Sequence, residues 1–295
     1  KKMSEMHDKI FDAFNEGFSK CVDVLNLRPT LELARDKVLE VYEHAINENF
    51  FSVLRAGDKI YNSMLIPEPA LELLKKTVIT NWLCEMWGGI NYFRCLHLAP
   101  NDEERYFLEV IAREEIGHAR ILETGTLHAL GINPYDHFCK TTVGEQKGIL
   151  SVFQHPEVLT RSWGDVLVFN RLQDASADMQ LDEIAKCCYG PLCDDIHKIE
   201  EEEKGHVEHG ERALREYTQT YRGADEVSRA LQFWLPEVLN VFGKPDKESL
   251  SMPLYIKYGI KKRTNDESRA HFLESIKPFF ESLKMPISCF PLDTD

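Results

Sequence analysis

The chain has 295 residues, and 35 Lys plus Arg against 49 Asp plus Glu leave a formal charge of -14, which argues against a nucleic-acid partner. Its 43% hydrophobic content is enough for a sizeable core without disulfide staples. No run reaches the roughly 18 consecutive apolar residues of a membrane span, and the charged start, Lys1 to Phe11, lacks the apolar stretch of a signal peptide, so a cytoplasmic protein with no membrane contact is expected. The eight cysteines (Cys21, Cys84, Cys95, Cys139, Cys187, Cys188, Cys193 and Cys289) contain no CxxC pair and read as reduced thiols.

Apolar residues recur at intervals of three and four rather than two, which predicts an all-α chain. Helical material is expected over about 3–25 and 29–62. Pro67 and Pro69 open a long helix over about 70–98, and Ala99-Pro100 breaks it. Asn101 followed by Glu104 has the form of a capping box at the start of a second helix, about 101–130, ended by Gly131-Ile132-Asn133-Pro134. A third follows over about 160–189; Gly190-Pro191 separates it from a fourth over about 191–221, with further helices near 224–241 and 265–284. The four long helices suggest a four-helix bundle with additional N- and C-terminal helices, and no linker divides residues 1–295 into separate domains.

Within this frame the second and fourth long helices repeat one motif. Glu114-Glu115-Ile116-Gly117-His118 is followed five residues later by Glu123, and Glu202-Glu203-Lys204-Gly205-His206 by Glu211, at an offset of 88 residues. Glu and His three apart leave a helix on one face, here inside the apolar stripes Leu108, Ile111, Leu122 and Ile196, Ile199, Leu214. Buried carboxylates are costly unless compensated, and neither stripe supplies Lys or Arg at that depth. A metal would compensate them. Glu85 lies 30 residues before Glu115 and Asp174 lies 29 before Glu203, about one helix and a turn upstream in each case. Glu85, Glu115, Asp174 and Glu203 would balance two divalent ions, with His118 and His206 giving each one neutral nitrogen, a donor set that suits iron, or manganese, better than structural zinc. Asp178, Glu40 and Glu43 are rival acids with poorer placement. Glu114 and the run Glu200-Glu201-Glu202 read as solvated charge, and His209 as a surface residue, a group that supports the ligands from behind, or an extra ligand. Gly88-Gly89 beside Glu85, and Ala175, Ser176 and Ala177 beside Asp174, leave room for an organic substrate or serve close helix packing.

Glu85, Glu115-Ile116-Gly117-His118, Asp174-Ala175-Ser176-Ala177-Asp178-Met179-Gln180-Leu181 and Glu203-Lys204-Gly205-His206 resemble the metal-site segments of phenylacetyl-CoA epoxidase catalytic subunits, within the phenylacetic acid catabolic, ferritin-like di-iron group. Ile256 to Glu267, with Arg269 and Phe272, resembles their C-terminal segment; the resemblance spans about 70–285. It implies a ferritin-like fold and a multicomponent monooxygenase in which two reduced iron ions activate O2 and epoxidise an aromatic acyl-CoA. It further implies a separate reductase and a related structural subunit, or else a homo-oligomer. The chain carries neither a Rossmann glycine fingerprint nor an iron–sulfur cysteine set, so electrons are expected from outside. Lys257, Lys261, Lys262 and Arg263 are the most concentrated positive stretch, and are expected to meet the phosphates of the thioester or an acidic partner. The alternatives are a ferritin-like iron handler and a metal-free scaffold subunit.

Overall fold

The structure is a computed structural model that describes residues 28–142, 150–285 and 287. The helix expected over about 3–25 lies outside the described residues. The chain divides into two compact units, with the boundary between Ser52 and Val53. The first unit contributes most of helix α1 (Arg28–Ala56), whose Val38, Val41 and Tyr42 are exposed.

Helix α1 stops at Ala56, short of the expected 62, because Gly57 adopts φ +77° and ends it. Asp58 N–H then donates to Val53 O and Gly57 N–H to Leu54 O, which satisfies two terminal carbonyls. In the second unit, α2 (Glu68–Cys95) and α3 (Asp102–Leu122) form one helical hairpin, and α6 (Trp163–Ile184) and α7 (Gly190–Tyr217) form another. Between the hairpins lie the short helices α4 (Tyr135–Thr142) and α5 (Pro156–Leu159), and after them α8 (Gly223–Leu239), α9 (Met252–Lys257) and α10 (Asn265–Ser282). Helix α2 packs on α3, α6 on α7 and α8, and α3 meets α7, so the two hairpins face each other as the expected all-α four-helix bundle. Among the described residues, extended pairing is limited to one bridge, Ile60 with Tyr189. No helix among them is long and apolar enough to cross a membrane.

The core explains which faces turn inward. Phe169 of α6 packs edge-on against Trp234 of α8, at 5.1 Å between ring centres, and Phe242 and Phe272 close the layer behind them. All four are fully buried, and truncating such a ring typically costs about 3–5 kcal/mol. The C-terminal helices therefore anchor the α6–α7 hairpin from outside.

Two helix ends differ from expectation for identifiable reasons. Helix α6 ends at Ile184 rather than 189, since the Cys188 carbonyl accepts from Ile60 N–H (2.9 Å) and Gly190 N–H donates to Ile60 O (2.9 Å). After Leu122 the second long helix widens into a π turn over Glu123–Leu127, where buried Asp195 of α7 accepts from both the Thr126 N–H and its hydroxyl at 2.7 Å. At the start of α3 half of the expected capping box is present. Asn101 accepts from Glu104 N–H at 2.8 Å, but the Glu104 carboxylate turns to His209 instead of reaching back.

Candidate metal centre

Helix α2 positions Glu85, α3 Glu115 and His118, α6 Asp174, and α7 Glu203 and His206. All six are buried, none more than 8% exposed, and contacts between them bring all six together. His118 Nδ1 lies 3.3 Å from Glu85 Oε2 and 3.2 Å from Glu203 Oε1. On the other side, His206 Nδ1 lies 3.4 Å from Glu115 Oε1, 3.7 Å from Glu203 Oε2 and 4.0 Å from Asp174 Oδ2. One half thus holds Glu85 with His118 and the other Asp174 with His206, while the two motif glutamates lie between them. Ligand atoms of Glu85, Glu115, His118 and Glu203 fall within 4.8 Å of one another. Asp178 is half-buried one turn beyond Asp174, and Glu40 and Glu43 are exposed on α1.

The electrostatics are those of a pocket short of positive charge. Burial raises Glu85 and Asp174 above the usual carboxylate range and lifts Glu115 to about 7, reinforced by neighbouring carboxylates. Burial works against protonated imidazole as well, yet the carboxylates of Glu203 and Glu85 beside it hold His118 up at about 11, and those of Glu115 and Glu203 facing Nδ1 hold His206 at about 12. Protons on the two rings are the compensating charge. No Lys or Arg is ion-paired to any of the six among the described residues. Glu203 Oε2 and His206 Nδ1 are buried without a well-formed hydrogen bond, so both atoms are open to a cation once the ring proton is displaced. A pair of divalent cations would satisfy both atoms and displace the protons, and the mixed carboxylate and imidazole donors fit iron or manganese.

The residues around the six correct one expectation. Glu114 and Glu202 are not idle solvated charge: Glu202 Oε2 lies 2.8 Å from His118 Nε2, and Glu114 Oε2 lies 2.9 Å from His206 Nε2. Each acid precedes its own motif Glu and reaches the imidazole of the opposite motif. An Nε2–H donated outward leaves Nδ1 free to face the centre. The repeat itself carried this signal, since Glu stands before the motif Glu in both copies. Glu200 pairs instead with His197 at 3.0 Å, and the Glu201 side chain lies outside the described ones.

Two further residues escaped the sequence reading, and a third was placed by it only among alternatives. Tyr92, seven residues after Glu85 and hence on the same face, donates its hydroxyl to Asp174 Oδ1 at 2.9 Å. Asn170, one turn before Asp174, donates to Asp174 Oδ2 and to Tyr92 Oη. His209, read as a surface residue, a group behind the ligands or an extra ligand, is buried against Phe107 and hydrogen-bonded to Glu104 at 2.8 Å, with burial pulling it down to about 3.

A cavity opens beside the carboxylates. Phe153, Phe169, Cys84 and Ala177 form its apolar wall, while Tyr92 and Gln173 are its neutral polar side chains. Gly88 also lines it, and a Cβ there would fall on Glu115 Oε2; at Gly89 a Cβ would meet Ile116 Cγ1 at 2.7 Å and the Ala112 carbonyl at 2.8 Å. The two glycines therefore divide the alternatives, with Gly88 making space at the site and Gly89 serving helix packing. Lys257, Lys261, Lys262 and Arg263 do not line this cavity. The Lys257 and Lys261 ammonium groups lie over the Tyr258 and Tyr255 rings, and the Lys262 and Arg263 N–H groups both donate to buried Glu183.

Residues 85–288 match the family described as phenylacetic acid catabolic protein. Over 194 residues, 64% of this chain, the sequence is 29% identical to one of the subunits of the 1,2-phenylacetyl-CoA epoxidase of Escherichia coli (strain K12). The match spans 60% of that relative's length.

Proposed function

The chain belongs to the phenylacetic acid catabolic protein family, and we propose that it is the catalytic subunit of a di-iron monooxygenase that uses O2 to epoxidise or hydroxylate an aromatic acyl-CoA such as phenylacetyl-CoA. The observation that carries this reading is the buried pair of half-sites sharing Glu115 and Glu203, with His206 Nδ1 and Glu203 Oε2 left without a well-formed hydrogen bond. A scaffold subunit has no need of four buried carboxylates gathered around two imidazoles. The adjoining cavity, walled by Phe153 and Phe169, supports this reading over a plain iron handler, since iron ions call for no apolar wall.

In this function Glu85, Glu115, His118, Asp174, Glu203 and His206 hold two iron ions, with manganese as the other fitting metal. The bound metals supply the reduction of O2 that oxygen insertion into an aromatic ring requires. The rest falls to the chain. Glu114 and Glu202 keep the Nε2 protons of His206 and His118, fixing ring orientation. Tyr92 and Asn170 hold the Asp174 carboxylate by both oxygens. Phe153, Phe169 and Ala177 exclude water and present an apolar face to the ring. Lys257, Lys261, Lys262 and Arg263 meet the phosphates of the thioester outside the bundle. Electrons come from a separate reductase, and a related structural subunit or a second copy completes the assembly.

Metal analysis followed by oxygen uptake with a chemical reductant, with and without phenylacetyl-CoA, tests the reading. Two irons per chain and thioester-dependent oxygen consumption are expected, both abolished in Glu115→Ala and Glu203→Ala. A chain that binds no iron would be the scaffold, and uptake indifferent to thioester would mark an iron handler.

A further inference from the structure

The turn between α6 and α7, together with the first turn of α7, holds three buried cysteines that the oxygenase reading does not use. Cys187, Cys188 and Cys193 are 1%, 2% and 3% exposed. Cys187 Sγ and Cys193 Sγ lie 3.8 Å apart, the contact distance of two unbonded sulfurs. Around them the backbone is closely engaged. Tyr189 N–H donates to Cys187 Sγ at 3.4 Å, and Cys193 Sγ lies 3.4 Å from the Cys187 carbonyl. Across the turn runs the Lys59–Tyr61 strap, pinned by the two Ile60 backbone bonds, and Lys59 Nζ donates to that same Cys187 carbonyl at 2.5 Å.

The two sulfurs are chemically unequal. The Cys187 thiol bonded to it pulls Cys193 down to about 6; Lys59 adds to this, against burial. Its place in the first turn of α7 favours negative charge as well. Cys187 is pushed up, and burial raises Cys188 to about 11. Buried cysteines that serve only as small apolar fillers gain nothing from an ammonium group drawn in beside them. A nucleophilic thiolate next to a resolving thiol is the arrangement of an oxidisable pair.

We propose that Cys187 and Cys193 form a dithiol modification site, built around the Lys59 ammonium, that is oxidised to a disulfide by hydrogen peroxide. The Cys193 thiolate attacks one peroxide oxygen; the O–O bond breaks, and the departing hydroxide takes a proton from solvent to leave as water. The Cys187 sulfur then attacks the resulting sulfenic sulfur, the S–O bond breaks, and the Cys187 proton leaves with that hydroxide as a second water. Two electrons pass from the sulfurs to one peroxide. Closing the bond draws the sulfurs from 3.8 Å to about 2.05 Å, a movement shared between Cys187, in the turn, and the Cys193 side chain on the first turn of α7.

The test treats the full chain with graded hydrogen peroxide, blocks remaining thiols by alkylation and maps the tryptic peptides. The peptide Cys187 to Lys198 carries three cysteines. It is expected to lose two hydrogens and accept one alkyl group, on Cys188, at peroxide levels that leave exposed Cys139 reduced. Cys188→Ser is expected to form the same bond, and Cys187→Ser is not. The proposal is overturned if Cys139 oxidises while the peptide still accepts three alkyl groups, or if the bond that forms uses Cys188.

Discussion

Glu202 Oε2 stands 2.8 Å from Nε2 of His118, so a carboxylate from one motif helix orients the imidazole of the other. The reciprocal pair, Glu114 with His206 at 2.9 Å, makes the cross-link two-sided. Neither acid is deeply buried, with side chains 50% and 33% exposed, so their role is orientation more than burial of charge.

Replacing either acid by Ala is therefore expected to weaken cation binding by roughly 10- to 100-fold while leaving helicity unchanged. Competition titration with a chromophoric chelator reads the affinity, and circular dichroism reads the fold. Native affinity in both variants would show that the histidines need no outer partner.

The adjacent glycines separate site from scaffold. In Gly88→Ala the new Cβ meets only the end of the Glu115 side chain, which can swing away, so the melting temperature is expected to hold while cation affinity drops. In Gly89→Ala it meets the Ala112 backbone carbonyl, which cannot move cheaply, and a stability loss of about 1–3 kcal/mol is expected. Gly117→Ala, whose Cβ meets nothing within 4 Å, is the control and is expected to gain up to about 1 kcal/mol from helix propensity. Calorimetry beside metal titration distinguishes the three.

Metal-free protein is expected to lose stability as pH rises. Glu115, lifted to about 7 from an ordinary 4.5, binds its proton more tightly folded than unfolded, so its contribution is complete below 4.5 and gone above 7. His118 and His206, raised from 6.5 to about 11 and 12, act in the same direction over a higher window. Glu203, lowered to about 2, contributes oppositely, but only as pH falls below 4.5. Melting temperatures in chelator should thus decline from pH 5 to 9, whereas loaded protein should resist the decline and release protons on metal uptake. A chelated protein that melts higher at pH 9 than at pH 5 contradicts this account.

Lys262 is exposed, while Lys261 is half-buried over Tyr255, so the two reversals differ. Lys262→Glu is expected to weaken phenylacetyl-CoA binding several-fold at low salt, with the difference shrinking as salt screens it, and to leave metal content alone. Adding Lys261→Glu should cost stability too. Calorimetric titration at two ionic strengths checks both, and unchanged thioester affinity would remove the cluster from the substrate path.

Local pattern determined a good deal of this protein by itself. The three-and-four periodicity made the helices legible, and a motif repeated at an 88-residue offset, with an acid upstream of each copy, picked out the six side chains that meet in the bundle. Residues three or four apart must share a helix face whatever the fold, so these features are written along the chain. Tertiary structure alone decided the pairings across helices. The π turn at Glu123–Leu127 is bonded by Asp195, which comes from another helix, and Glu104 abandons its cap for His209, 105 residues away. Glu114 and Glu202 read as surface charge because their partners lie on the opposite motif helix. Periodicity says which way a side chain leaves its helix; only packing brings it to the atom that receives it.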